Sequence, residues 1–397
     1  MNALNRFTWF IAAAVLFVAV NTTQAFCPFC ETEKGPTLTG EFEQAHIILY
    51  GHFENPRFAK NGIDPGESDF VIEEVIKPHD MVKGKKILTL PKAIIDPKVK
   101  FIVFFEIYEG KLDPYKGVQL TKDSEMRQYL TGAVKLKDKK QPERLRYAFD
   151  FLNSPEIEVA LDAYREFAKA DYGDYKEIAK KLPADKIAGW LKDPKTPSFR
   201  YGLYASLLGH CGGAKDAELL LSMIQDPEKR QGSGLHGLMA AYTMLDTAKG
   251  WNMVKSLVRD AEQPFLVRFA GLQTMRFFWE SRPDLIAKDD TSARAEIVKG
   301  LAGVLEVADM ADFAIEDLRR WKRWEFCDQI IGMFGQKTYN TPIIRKSILR
   351  YAIQCPNKRA VEFVAEQRKR DAEWVTDTRE LLDLETPAAV TSTTRKK

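Results

Sequence analysis

Two cysteines enclosing a proline and a phenylalanine, Cys27-Pro28-Phe29-Cys30, are the residues of this chain best spaced for chemistry. A Cys-x-x-Cys pair exchanges disulfides when its first sulfur sits at a helix N-terminus, which stabilises the thiolate. Here the motif runs into Glu31-Thr32-Glu33-Lys34-Gly35-Pro36, a segment rich in helix breakers. Its two carboxylates raise a neighbouring thiol pKa rather than lower it. The pair therefore reads as a local disulfide or surface dithiol, with redox catalysis as the alternative. Covalent haem attachment needs a His directly after the second Cys, and Glu31 stands there.

A zinc site from Cys27, Cys30, His46 and His52 has plausible spacing. A strand rises about 3.3 Å per residue, however, which would separate the two histidines by roughly 20 Å. No cofactor or metal is expected. The Gly232-Ser233-Gly234 stretch lacks the Lys and Ser/Thr of a phosphate loop, and no zinc-helix or nucleophile-elbow motif occurs. Of five histidines, His210 and His236 fall in helical patterns, where packing or capping suits them better than general-base work. The remaining concentration of binding potential is Arg319-Arg320-Trp321-Lys322-Arg323-Trp324. If helical, Arg320, Arg323 and Trp324 share one face. Arg319, Arg320, Trp321, Arg323 and Trp324 are thus candidates for an anionic or polysaccharide contact. The competing reading buries both tryptophans between helices.

The elements that must position these residues fall into two kinds. From residue 40 to 120 the period is two, with apolar runs at EFEQAHIILYGHF, DFVIEEVI, KILTL and FIVFFEIY separated by Pro, Gly and Asp. Four or five strands without an intervening helix predict a small antiparallel barrel or sandwich. A helix over 125–136 and a basic, polar stretch to residue 146 follow, placing a boundary near residue 140. Beyond it the period is 3.6, and Asn153-Ser154-Pro155, Asp193-Pro194, Asp226-Pro227, Asp260, Asp309 and Asn340-Thr341-Pro342 introduce helices. Five intervals covering 187 residues average about 37, within the range for stacked helical pairs. The interval from Asp260 to Asp309 is long and implies an insertion or an extra short hairpin. Cys211, Cys327 and Cys355 read as small buried apolar residues.

The segments WLKDPKTPSFRYGLYASLLGH (190–210) and LVRDAEQPFLVRFAGLQTM (257–275) resemble HEAT repeats, with an Asp at the turn, a nearby Pro, and an Arg after an apolar residue at Phe199-Arg200, Val267-Arg268 and Ile344-Arg345. The resemblance implies a right-handed α-solenoid over 145–382 that binds proteins. The preceding module, 40–140, resembles netrin-like domains of the metalloproteinase-inhibitor type, implying a barrel of the oligonucleotide-binding (OB) type. The absence of cysteines between Cys30 and Cys211 rules out that family's cross-barrel disulfides. Cys27-Pro28-Phe29-Cys30 resembles the glutaredoxin dithiol in spacing alone.

With 397 residues, 45% hydrophobic and 29% charged, the chain suits a multidomain globular protein. Its net charge of +3 excludes a global drive toward nucleic acid or anionic membrane. Arg6 followed by the apolar run from Trp9 to Val20 and Thr23-Gln24-Ala25 is expected to be a signal peptide over 1–25. That predicts a secreted or periplasmic chain with no membrane span once processed, an N-terminal segment 26–39 and a disordered tail over 383–397. The expected function is a non-enzymatic scaffold whose partner is another protein or a cell-envelope component.

Overall fold

A computed structural model describes residue 29 and residues 37–58, 65–96 and 98–385. The expected signal peptide, Cys27, Cys30 and the tail from residue 386 lie outside the described residues. The first elements are α1 (Leu38–Gln44), β1 (Ile47–Arg57), β2 (Glu67–Lys77), β3 (Ile87–Leu90), β4 (Lys100–Tyr108) and β5 (Lys111–Leu120). The strands form one antiparallel sheet in the order β3-β2-β1-β4-β5. Ile47, Ile48 and Leu49 are buried on both faces, as a central strand requires. Glu109 (φ 48°) and Gly110 (φ 73°) form the tight β4–β5 turn, whose positive φ angles match strand twist.

Two expectations need correction. The sheet is open rather than a closed barrel: β3, with four residues, and β5 are its edges. Pro114 lies in edge strand β5, where a missing N–H is tolerated, and the register shifts beside it between Phe104 and Phe105. Residues 41–44, expected in a strand, belong to α1. Thr37 caps that helix by accepting from the Gly40 amide at 2.9 Å.

The helices that follow are α2 (Met126–Lys135), α3 (Gln141–Phe149), α4 (Ile157–Lys169), α5 (Tyr172–Ala179), α6 (Ala184–Lys192), α7 (Tyr201–Cys211), α8 (Ala214–Gln225), α9 (Leu235–Leu245), α10 (Thr247–Arg259), α11 (Phe265–Ser281), α12 (Pro283–Ile286), α13 (Asp290–Ala302), α14 (Ala311–Arg320), α15 (Cys327–Gly332), α16 (Pro342–Gln354), α17 (Lys358–Arg370) and α18 (Ala372–Glu385). The chain is therefore mixed α and β, with a sheet followed by a helical region. Thr341 caps α16 and Pro342 occupies its first turn. The long interval after Asp260 is taken up by the 17-residue α11, the short α12, the 13-residue α13 and a 3₁₀ turn at Gly303–Glu306. Helix α18 continues to Glu385 and so takes in residues 383–385 of the expected tail.

Helices α7 and α9 are apolar around most of their circumference and are buried accordingly. They pack side by side, α11 packs on α9, and α8 and α10 lie between these neighbours in sequence and contact α9. One core runs through all of this into the sheet. Ile48, Ile102, Phe104 and Leu120 on one sheet face join Phe42 of α1, Tyr129 of α2 and Phe149 of α3. The opposite sheet face has its own smaller core, including Phe53, Phe70, Val82, Leu90 and Phe105. Asp162 of α4, 1% exposed, ties sheet side to helix side. It accepts from the Thr39 hydroxyl at 2.7 Å, the Tyr129 hydroxyl at 2.8 Å and the Leu38 amide.

Candidate functional site: the cleft that holds Phe29

Of the three arginines singled out in the sequence, Arg200 and Arg268 are 6% and 4% exposed and join segments distant along the chain, whereas Arg345 is exposed. Arg200 donates to the Leu152 carbonyl at 3.3 Å. Arg268 donates to the Gln263 carbonyl at 2.9 Å and, through two nitrogens at 2.6 Å each, to the Asp309 carboxylate. That bidentate pair holds Asp309 below the usual carboxylate range. The aspartate expected as a helix introducer thus accepts from an earlier unit.

Gly234 stands at the N-terminal end of α9. Its φ of 95° lies in the region only glycine enters freely. A Cβ there would stand 2.6 Å from the Gly202 nitrogen, and one on Gly237 would stand 2.5 Å from the Gly202 Cα. The backbones of α7 and α9 consequently touch, without a side chain between them, and a cleft opens beside the contact.

Phe29, from the middle of the Cys-Pro-Phe-Cys motif, fills one end of this cleft and is 2% exposed. Its ring stacks on His236 at 5.6 Å and leans on Phe277 at 4.7 Å. Its carbonyl oxygen lies so near α7 that a Cβ on Gly202 would come within 2.9 Å. About 310 Å³ of space remains alongside, walled by Phe199, Leu266, Phe269 and Ala270 and edged by Arg230 and Gln273. Leu266 at the rim is 60% exposed. Such a volume is at the lower end for ligand pockets, about 300 to 1,000 Å³, and its mostly apolar wall with a few polar groups is typical of them.

Behind Phe277 the aromatic cluster continues. Tyr172 meets it edge-on at 5.3 Å, and the Tyr172 hydroxyl lies 3.1 Å from His210 Nε2. Arg282 hydrogen-bonds to Tyr172 as well. Burial, helped by the positive charges of Arg282, Lys176 and Lys180, pushes His210 down to about 3. It is therefore neutral at physiological pH, and the Tyr172 hydroxyl hydrogen-bonds to both His210 and Arg282. These groups hold the cleft wall in place.

The basic–aromatic candidates are arranged differently. Helix α14 ends at Arg320, and Lys322 has a φ of 56°, so Arg320, Arg323 and Trp324 do not share a helical face. The shared face was inferred from spacing alone, and the turn at residue 322 breaks it. Arg319 is 4% exposed, donating to Glu316 at 2.9 Å, Gln354 at 2.8 Å and Glu385 at 2.9 Å. Trp321 stacks on Trp279 at 4.1 Å, Trp324 packs on Tyr351 at 5.1 Å, and Arg323 pairs with Glu325. Arg320 is exposed. His46 accepts from the Ile107 amide at 3.2 Å, whereas His52 pairs with Glu73 at 2.6 Å and Glu54 at 3.1 Å. No cluster of three or more potential metal ligands occurs among the described residues.

The sequence reading singled out the two sulfurs around Phe29 and passed over the ring between them. No family model, curated protein or solved structure matches the chain.

Proposed function

We propose that this chain is an exported, non-catalytic binding scaffold whose helical region is an α-solenoid of HEAT type. Its recognition point is the cleft at the α7–α9 contact, which takes an aromatic side chain from an extended peptide. The observation that carries this reading is Phe29 itself. An aromatic residue from a segment distant in sequence lies in the cleft, against Phe277 and His236, and leaves room beside it. Aromatic side chains suit such a site because they bury a large apolar area at a low entropic cost.

The solenoid reading is supported by α7, α9 and α11 lying side by side and by the buried Arg200 and Arg268 that join segments distant along the chain. Export is supported by the charged-then-apolar pattern of the first 25 residues, and no helix among the described residues is long and apolar enough to cross a membrane. The saturated contacts of Arg319 and the packing of Trp321 favour a structural role for the basic–aromatic turn over polysaccharide binding.

Panning the full chain against a randomised displayed-peptide library tests the proposal. Selected sequences are expected to converge on Phe, Tyr or Trp at one position and to lose at least about tenfold in affinity, roughly 1.4 kcal/mol, against Ala270→Trp, which fills the cleft. Selection without aromatic enrichment, or equal binding to the filled variant, would overturn it.

A further inference from the structure

Two of the three cysteines among the described residues lie together. Cys327 opens α15 and Cys355 caps α16, and they are 1% and 3% exposed. Both are free thiols, and α15 packs on α16 so that the two side chains lie close enough to interact. The juxtaposition is well braced. The Tyr351 hydroxyl donates to the Arg323 carbonyl at 2.7 Å, and Asn357 Nδ2 donates to the Trp324 carbonyl at 3.2 Å. These bonds press the C-terminal end of α16 against the segment entering α15. Trp324 packs over the Tyr351 ring and covers the junction. Cys211 is placed differently, donating to the Leu207 carbonyl within its own helix at 3.4 Å.

We propose that Cys327 and Cys355 form an intramolecular disulfide when the chain folds in an oxidising compartment. The compartment rests on the export proposed above, while the pairing rests on geometry. In the folded, reduced chain both sulfurs are buried and Cys327 is inert. Burial, reinforced by the neighbouring Cys355, pushes the Cys327 thiol up to about 11, so little thiolate exists and no donor reaches it. The bond therefore closes during folding, before Trp324 covers the junction. One thiolate attacks a donor disulfide, either oxidised glutathione or that of an oxidoreductase, forming a mixed disulfide and releasing one donor thiolate. The second protein thiolate then displaces the other donor sulfur. One sulfur–sulfur bond forms in the protein, the donor is reduced to two thiols, and the two protein thiol protons end on the donor sulfurs. The cross-link closes the loop from residue 327 to residue 355 and holds α15 to α16, which restricts the unfolded chain more than the folded one.

The test refolds the full reduced chain in a glutathione redox buffer, alkylates the remaining thiols in denaturant, and maps peptides by mass spectrometry without reduction. The expected result is a linked pair of peptides carrying Cys327 and Cys355, two hydrogens lighter than their sum, with Cys211 alkylated. The Tm of the oxidised chain should exceed that of the reduced chain by several degrees, and Cys355→Ala should abolish the part due to this bond. Complete alkylation of both residues, or linkage of either to a different cysteine, overturns the proposal. The wild-type map decides the matter even if the variant fails to fold. Because the buffer supplies the oxidant, a negative map refutes the pairing independently of export.

Discussion

His210 shows how a single buried side chain makes stability depend on pH. Its pKa is depressed to about 3, first by burial and then by Arg282, Lys176 and Lys180, against an unfolded value near 6.5. Between those values the unfolded chain binds a proton that the folded chain refuses, so stability rises with pH across the window and falls on acidification. This group contributes a slope of up to about 1.4 kcal/mol per pH unit. His210→Gln, which keeps an acceptor for Tyr172, should therefore shift the urea midpoint less than wild type does between about pH 6.5 and about pH 4. An unchanged pH slope in the variant would show that His210 titrates freely in the folded chain. The sequence revealed this histidine but not its neighbours. Tyr172 opens α5 while Phe277 and Arg282 lie in α11 and at its C-terminal cap, and one-dimensional spacing does not bring these segments to His210.

Between elements, a few buried polar residues do the joining. Asp162 accepts from α1 and α2, and a donor in its place would face other donors. Asp162→Asn puts an amide donor where several donors converge, and should cost about 3 kcal/mol by chemical denaturation. It should also speed amide exchange in β1 and β4 together with α1, because that end of the sheet rests on these helices. A variant within about 0.5 kcal/mol of wild type would contradict this role. Most of the elements themselves were legible. The apolar runs between Pro, Gly and Asp marked β1, β2, β3 and β4, and Thr341-Pro342 marked the start of α16. Residues 41–44 were misjudged because Glu41-Phe42-Glu43-Gln44 alternates as a strand would. What makes them helical is Thr37 before them and Asp162 over a hundred residues later. Sheet closure was equally beyond pattern, since it depends on how edges β3 and β5 lie in space.

Across the whole molecule, the apolar core runs from the sheet through α1 and α2 into the helices without interruption at the compositional change near residue 140. At Gly234 the backbones of α7 and α9 meet, and Phe29 and the adjoining cavity lie beside that contact. The central claim is that this cavity accepts an aromatic side chain, and methyl NMR of the full chain titrated with N-acetyl-phenylalaninamide tests it most directly. The account predicts saturable shifts at the Ala270 and Leu266 methyls that N-acetyl-alaninamide does not produce. Unmoved methyls, or equal shifts with the alanine probe, would contradict it.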